Sequence, residues 1–243
     1  MYHGEGGAVW RRSVYIDETM CDERGNMRPD ALTTSLQNTA GLYLTDCGLT
    51  LDALAAADIL LVLVWAEIRV ERLPQCGETV AVETWFGKER HWLYPAHYVC
   101  RSQGGDVLAR GATWWSSIDG KHRRLAPPSP LTRRIPVQQR EGEFTAADSE
   151  SFPAHLPCTQ ERTVTAQEID HNRHMNNAHY VAWAQSLLPR DCGQLKRLWV
   201  EYRQELLEGQ TAQMRYSWQD GTFYVEGLYQ GESSFRVALT YGE

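Results

Sequence analysis

The 243-residue sequence lacks the features that mark several common classes of protein. Its longest apolar run, Ile59 to Ala66, is far shorter than the roughly 20 residues that a membrane-spanning helix needs. It contains no GxSxG motif of a serine nucleophile elbow and no GxGxxG or GxxxxGK phosphate-binding loop. The formal net charge of -7 disfavours nucleic-acid binding, which requires Lys and Arg to neutralise phosphates. Small molecules and other proteins remain as partners.

Cysteine pairs are absent as well. The six Cys residues form no CxxC pair, and their spacings fit neither a zinc site nor a compact disulfide scaffold. The first ten residues are polar and Gly-rich, with no apolar stretch like that of a secretory signal. We therefore expect reduced thiols and a cytoplasmic location, with no metal and no other cofactor.

The first half of the chain predicts one long helix followed by strands. Between Asp30 and Asp46, apolar residues recur on one helical face. A strand precedes this helix at Arg11–Ile16, and a short second helix follows near Leu51–Ala57. Strands are then predicted at Ile59–Val70, Thr79–Phe86, Leu93–Arg101 and Val107–Ile118, and their short connections indicate antiparallel pairing.

The second half repeats this order after a Pro-rich stretch. The sequence predicts a strand at Glu161–Ile169 and a helix that ends near Leu188, before Pro189. Further strands are predicted at Leu195–Leu207, Ala212–Trp218, Thr222–Tyr229 and Ser233–Tyr241.

Sequence matches between the halves indicate an internal duplication. Asp22–Met27 aligns with Asp170–Met175, and Trp65–Glu71 aligns with Trp199–Glu205. We predict an α+β double hotdog fold, in which two tandem units each wrap a curved antiparallel sheet around a long helix. The predicted division is residues 1–126 for the first unit, 127–157 for a linker and 158–243 for the second unit.

A polar cluster in the second half has no equivalent in the first half. Asp170, Asn172 and His174 precede the helix, where the first half has Arg24 and Asn26 in place of Asn172 and His174. A His can move a proton near neutral pH, and an Asn can orient a water molecule or a carbonyl group. For a lone Asp or Asn, however, turn formation and helix capping are the ordinary roles.

Three more residues are candidates for the same site. Asn176 and Asn177 stand at the expected helix start, where unpaired N–H groups could stabilise an oxyanion. Glu205 could act as a base if the fold brings it to His174, with Glu201 as a rival on the same predicted strand face. An ion pair with Arg203 or Arg197 is the alternative role for either carboxylate.

Two motifs make the chain resemble the acyl-acyl carrier protein thioesterases of plants and bacteria. Residues 170–180 read DHNRHMNNAHY and resemble that family's D-x-N-x-H-x-N-N-x-x-Y run. Residues 200–205 read VEYRQE and are similar to its E-Y-R-x-E run. The similarity extends over nearly the whole chain and is closer to the bacterial branch, since no plastid transit peptide is expected at the N-terminus.

The resemblance implies a function and a catalytic set. The function is hydrolysis of fatty acyl thioesters of acyl carrier protein, and the catalytic residues are Asp170, Asn172, His174 and Glu205. Asn176 and Asn177 are expected to bind substrate. Leu206 stands where the family often has a Cys, which favours direct attack by water.

The same resemblance implies a partner, an acyl carrier protein with a phosphopantetheine-linked acyl chain. Because acyl carrier protein is acidic, a basic docking surface is expected from Lys121, Arg123 and Arg124, or from Arg133 and Arg134. We expect no membrane span and allow for a homodimer. The alternatives are an acyl-CoA thioesterase, a hotdog dehydratase or acyl-binding module, and an interaction protein in which the polar cluster is only a helix cap.

Overall fold

The computed structural model describes residues 9–138, 150–189 and 191–242. Part of the predicted linker, residues 139–149, therefore lies outside the described residues, and the unit boundaries at 126 and 157 stay a prediction. No helix in the described part of the chain has both the length and the apolar character needed to cross a membrane.

The first half contains the predicted helices and strands and one further short strand at Arg124–Leu125. They are β1 (Trp10–Tyr15), α1 (Pro29–Asp46), α2 (Leu51–Ala56), β2 (Ile59–Val70), β3 (Thr79–Phe86), β4 (Leu93–Arg101), β5 (Val107–Asp119) and β6 (Arg124–Leu125). The face of α1 that carries Leu32, Leu36 and Ala40 is buried, as its helical spacing predicts.

The second half follows the same plan with a shorter helix. Its elements are β7 (Cys158–Thr163), α3 (Asn177–Gln185), β8 (Gln194–Tyr202), β9 (Thr211–Gln219), β10 (Thr222–Tyr229) and β11 (Glu232–Gly242). Short 3-10 helices lie at Glu18–Met20, Thr132–Arg134 and Ala166–Glu168.

One continuous antiparallel sheet joins the two halves. Its strand order is β1-β3-β4-β5-β2-β8-β11-β10-β9-β7, so each half has the same order from its outer edge to the centre. The central strands β2 and β8 pair with Trp65 opposite Glu201 and Glu67 opposite Trp199. Helices α1 and α3 contact each other, and the Asp30 N–H at the start of α1 donates to Gln185 at the end of α3. The double hotdog prediction is confirmed.

An ion pair connects the two halves at the central strands β2 and β8. The Glu67 carboxylate on β2 is fully buried, and it accepts a 2.8 Å hydrogen bond from Arg197 Nε on β8. Arg69 also lies 3.4 Å from Glu67, and Glu150 lies 2.7 Å from Arg197, so the contact belongs to a small group of charges that links β2 with β8.

Two strand predictions are wrong at their ends. The strand expected to reach Ile169 ends at Thr163, because Thr165 and Glu168 form a capping box that starts a 3-10 helix. The strand expected to reach Leu207 ends at Tyr202, because the Ser234 carbonyl accepts from both Arg203 N–H and Gln204 N–H and the chain bends away. Glu205 therefore lies in a loop, and the strand-face alternation used to place it does not apply.

Glu168 anchors α3 to the segment that precedes it. Its carboxylate accepts hydrogen bonds from Trp183 Nε1 at 2.6 Å and from Thr165 N at 2.8 Å. Burial favours the neutral acid, but the bonds from Thr165 and Trp183 and the nearby Arg162 guanidinium outweigh burial, so the pKa of Glu168 lies below its usual value.

We predict that Glu168→Gln lowers the free energy of unfolding at pH 7 by about 1–3 kcal/mol. A carboxylate whose pKa is lowered by folding stabilises the protein above its unfolded pKa, and that contribution is lost as the pH falls through the folded pKa. Denaturant titrations should therefore show a deficit that is complete above about pH 4.5 and shrinks in more acidic solution. Glu161→Gln, an exposed change on β7, is the control, and an equal deficit there would contradict the assignment.

Candidate active site

The polar cluster before α3 folds into a tight turn. Asp170 N–H donates to the His174 carbonyl at 2.9 Å, and Ile169 pairs with Met175 across the base of the turn. The Asp170 side chain accepts from the Asn172 N–H at 2.8 Å, and Arg173 adopts a left-handed φ of 66°. Asp170 therefore shapes the turn through backbone contacts, a role that short Asp side chains often have.

The first half contains the same turn with different side chains. Asp22 N–H donates to the Asn26 carbonyl at 2.8 Å, and the Asp22 side chain accepts from the Arg24 N–H at 2.9 Å. Gly25 occupies the left-handed position, with φ 78°. The turn is thus a shared structural element, whereas the side chains suited to proton transfer occur in the second half alone.

A half-open cavity of about 320 Å³ lies beside this turn. All four predicted catalytic residues line it, together with the predicted binding residue Asn177. Asn176 is not among the lining residues. The first half contributes Arg123 and an apolar wall, which consists of residues 61–64 of β2 and Ile118 of β5. The cavity therefore combines a polar end from one half with an apolar wall from the other.

His174 and Glu205 are in contact at the polar end. His174 Nε2 lies 3.1 Å from Glu205 Oε2, and the two side chains are 22% and 38% exposed. This distance is within the range over which a general base and its partner exchange a proton. The structure thus brings together two predicted residues that are far apart in sequence.

The loop that carries Glu205 is fixed by its neighbour Leu206. The Leu206 side chain is fully buried, its N–H donates to Tyr180 Oη at 3.1 Å, and its carbonyl accepts from Met175 N–H at 2.8 Å. Burial raises the pKa of Tyr180 to about 12, so this hydroxyl remains neutral. The two bonds tie the Glu205 loop to both α3 and the polar turn.

Glu201, the rival of Glu205, has a different environment. It pairs with Arg203 at 2.8 Å and does not line the cavity. Geometry therefore separates the two carboxylates and leaves Glu205 as the candidate base.

The start of α3 faces the cavity through Asn177. Asn176 caps the helix: its side chain accepts from Ala178 N–H, and its carbonyl accepts from His179 N–H. Tyr202, another lining residue, donates to the Asn177 carbonyl at 3.1 Å. Asn176 thus caps the helix, whereas Asn177, the first residue of α3, lines the cavity.

Arg123 is a site residue that the sequence did not identify as one. It lies on the hairpin that joins β5 to β6, and its Nη2 donates to Glu205 Oε2 at 2.5 Å. Sequence reasoning placed it only in a possible docking surface, because nothing in the local pattern links residue 123 to residue 205. The duplication itself offered no signal, since the contact crosses from one half to the other.

Histidines near the turn do not extend the site. His171 and His179 do not line the cavity. Across the described ranges, no group of three or more His, Cys, Asp or Glu side chains is arranged to hold a metal ion.

Family models match both halves of the chain. The acyl-ACP thioesterase N-terminal domain matches residues 7–130, and the acyl-ACP thioesterase C-terminal domain matches residues 156–235. The chain belongs to the acyl-ACP thioesterase family.

Curated relatives include two plant proteins. The chain is 26% identical over 230 residues to acyl-[acyl-carrier-protein] hydrolase FATB2, chloroplastic, of Cuphea viscosissima, which covers 83% of this chain and 53% of that protein. It is 27% identical over 198 residues to the chloroplastic palmitoyl-acyl carrier protein thioesterase of Gossypium hirsutum, covering 72% and 47%. The chain thus spans about half the length of these relatives.

Solved structures share the fold along nearly the whole chain. An acyl-ACP thioesterase from Bacteroides thetaiotaomicron aligns with a TM-score of 0.85 and 18% identity, covering 96% of this chain and 98% of that one. The 12:0-ACP thioesterase from Umbellularia californica aligns with a TM-score of 0.84 and 20% identity, covering 98% of each chain.

We predict that Tyr180→Phe disturbs the Glu205 loop. Without the hydroxyl, the buried Leu206 N–H has no acceptor there, which should cost about 1–3 kcal/mol in the free energy of unfolding. Turnover of a thioester substrate should fall as well, because Glu205 is less firmly held. Denaturation and steady-state kinetics measure the two effects, and full activity in a destabilised variant would contradict the role of this bond in the site.

We predict that Arg173→Gly stabilises the protein by about 0.5–1 kcal/mol, because a side chain in the left-handed region is strained and glycine is not. The mirror change, Gly25→Ala, should destabilise by about 1 kcal/mol, since its added Cβ meets no atom within 4 Å and only the backbone strain remains. Denaturant titration measures the free energy of unfolding of both variants. A change of the same sign in the two variants would contradict the shared geometry of the turns.

Proposed function

We propose that this chain hydrolyses fatty acyl thioesters of acyl carrier protein, releasing a free fatty acid and the thiol of the carrier. The observation that carries the proposal is the His174–Glu205 contact at the polar end of a cavity with an apolar wall. Membership of the acyl-ACP thioesterase family supports the same reaction.

The proposed chemistry needs one water molecule. Its oxygen attacks the thioester carbonyl carbon while its proton passes to the His174–Glu205 pair. The C–S bond then breaks, and the departing thiolate takes up a proton to become the carrier thiol. Either member of the pair can be the direct base in this scheme.

The remaining candidates would assist this attack. The Asn177 N–H, at the positive end of α3, would stabilise the oxyanion that develops on the carbonyl oxygen. Asn172 lines the same cavity and would orient the water molecule or the carbonyl group. Asp170 would hold the turn through the Asn172 N–H. Leu206 in place of a thiol leaves water as the nucleophile.

The acyl chain would lie against residues 61–64 and Ile118, which form the apolar wall. The carrier protein would approach the exposed hairpin that holds Lys121 and Arg124, since an acidic protein is attracted to a basic surface. Arg133 and Arg134 are exposed nearby in sequence and could extend that surface. A cytoplasmic location is a further part of this proposal, which is compatible with a homodimer.

The proposal is tested by rates of hydrolysis on matched acyl chains attached to acyl carrier protein and to coenzyme A. We expect a higher kcat/KM with acyl carrier protein. A clear preference for acyl-CoA would mean that coenzyme A, not acyl carrier protein, is the carrier. Hydrolysis of neither thioester would contradict the proposed reaction.

Substitution of the central pair gives a sharper test of the site. His174→Ala and Glu205→Gln should each lower kcat/KM by about 10²–10⁴, the usual contribution of general acid–base catalysis. Glu201→Gln is the matched control, because this carboxylate pairs with Arg203 outside the cavity. Equal losses in the control, or normal rates in folded variants of the pair, would show that the site is wrongly assigned.

A further inference from the structure

We propose that Arg123 is a positioning residue: a side chain from the first half that orients Glu205 for the reaction in the second half. The inference rests on the proposed thioester hydrolysis and adds a residue to it. It also gives the first half a part in the chemistry beyond its apolar wall.

The contact geometry carries the inference. Arg123 Nη2 and His174 Nε2 both approach the same oxygen, Glu205 Oε2, at 2.5 and 3.1 Å. Glu205 Oε2 is therefore shared between the guanidinium and the imidazole. A guanidinium bound to one carboxylate oxygen thus restricts the rotation of the Glu205 side chain.

The loop position of Glu205 makes such a restraint necessary. Glu205 follows the end of β8 and is 38% exposed, so strand packing does not fix its side chain. The bonds of Leu206 fix only the backbone beside it. Arg203 also lines the cavity, but its Nε is engaged with Glu201. Arg123 is therefore the cation placed to hold the Glu205 carboxylate.

Several hydrogen bonds support the hairpin that presents Arg123. Arg123 has a left-handed φ of 53°, and its N–H donates to the Asp119 carbonyl at 2.8 Å. The Asp119 side chain accepts from His122 N–H, and Gly120 N–H donates to the Asp58 carbonyl at 2.8 Å. A Cβ on Gly120 would lie 2.7 Å from Asp58 Oδ1, so the turn packs closely against the start of β2. The backbone that carries the Arg123 guanidinium is thus fixed by contacts with β2 and β5.

Carrier docking is the competing role for this side chain. The next residue, Arg124, belongs to the same exposed hairpin, stands opposite Asp119 in the β5–β6 ladder and does not line the cavity. If the hairpin is a docking surface, loss of the Arg123 charge and loss of the Arg124 charge should weaken carrier binding to a similar extent. Only loss of Arg123 would disturb Glu205, and this difference provides a matched control.

The experiment compares Arg123→Gln, Arg123→Lys and Arg124→Gln in the full chain. The substrates are an acyl carrier protein thioester and the same acyl group on N-acetylcysteamine, which carries neither protein nor phosphate. Arg123→Gln should lower kcat about tenfold on both substrates with little change in KM, because the defect lies in orientation. Arg123→Lys should recover part of the rate, and Arg124→Gln should affect only KM for the carrier protein.

The inference is overturned in favour of docking if Arg123→Gln raises only KM, does so only with the carrier protein, and does so to the same extent as Arg124→Gln. A second arm uses the Glu205→Gln background, where Arg123→Gln should cause no further loss. Additive losses there would mean that Arg123 does not act through Glu205.

A readout independent of turnover separates this inference from the proposed function. In a crystal structure of Arg123→Gln, we expect Glu205 to leave His174 or to occupy more than one rotamer. An unchanged Glu205 would overturn the inference even if the wild type is active. If the wild type hydrolyses neither substrate, the proposed function fails, and the rotamer of Glu205 still decides whether Arg123 positions it.

Discussion

The pairing of β2 with β8 is the constraint on which the site depends. It joins two hotdog units into one sheet and places the start of β2, with Ile118 and the Arg123 hairpin, beside the polar turn of the second unit. The buried Glu67–Arg197 contact lies on these two strands. Neither half contains the whole cavity, since the apolar wall and the guanidinium come from one half and the His174–Glu205 pair from the other.

The duplicated turn separates structural from chemical requirements. Both halves use an Asp side chain to bind the N–H two residues later, and both place a left-handed residue at the same position. Those features serve the fold. His174 has Asn26 as its counterpart, and Asn172 has Arg24, so their side chains are not needed for the turn. This difference supports the proposal that the motif takes part in the reaction.

Local patterns in the sequence predicted most of the fold, because helix and strand periods depend on nearby residues. The bounds of β2, β3, β4 and β10 agree with those patterns. The end of β8 does not agree with its local pattern, because the Ser234 carbonyl that bends the chain there comes from a distant strand. Asp170, Asn172 and His174 were identifiable from spacing, and Glu205 from family resemblance. Arg123 was not identifiable as a partner of Glu205, because sheet register determines that contact.

The central claim is that the His174–Glu205 pair delivers water directly to the thioester carbonyl. The most direct measurement is a single turnover in water enriched with oxygen-18, followed by mass spectrometry of the fatty acid and of the peptide that contains Glu205. Direct attack predicts one labelled oxygen in the released acid and none in Glu205. Unlabelled acid together with oxygen-18 in the Glu205 carboxylate would mean that Glu205 is the nucleophile and would contradict the account.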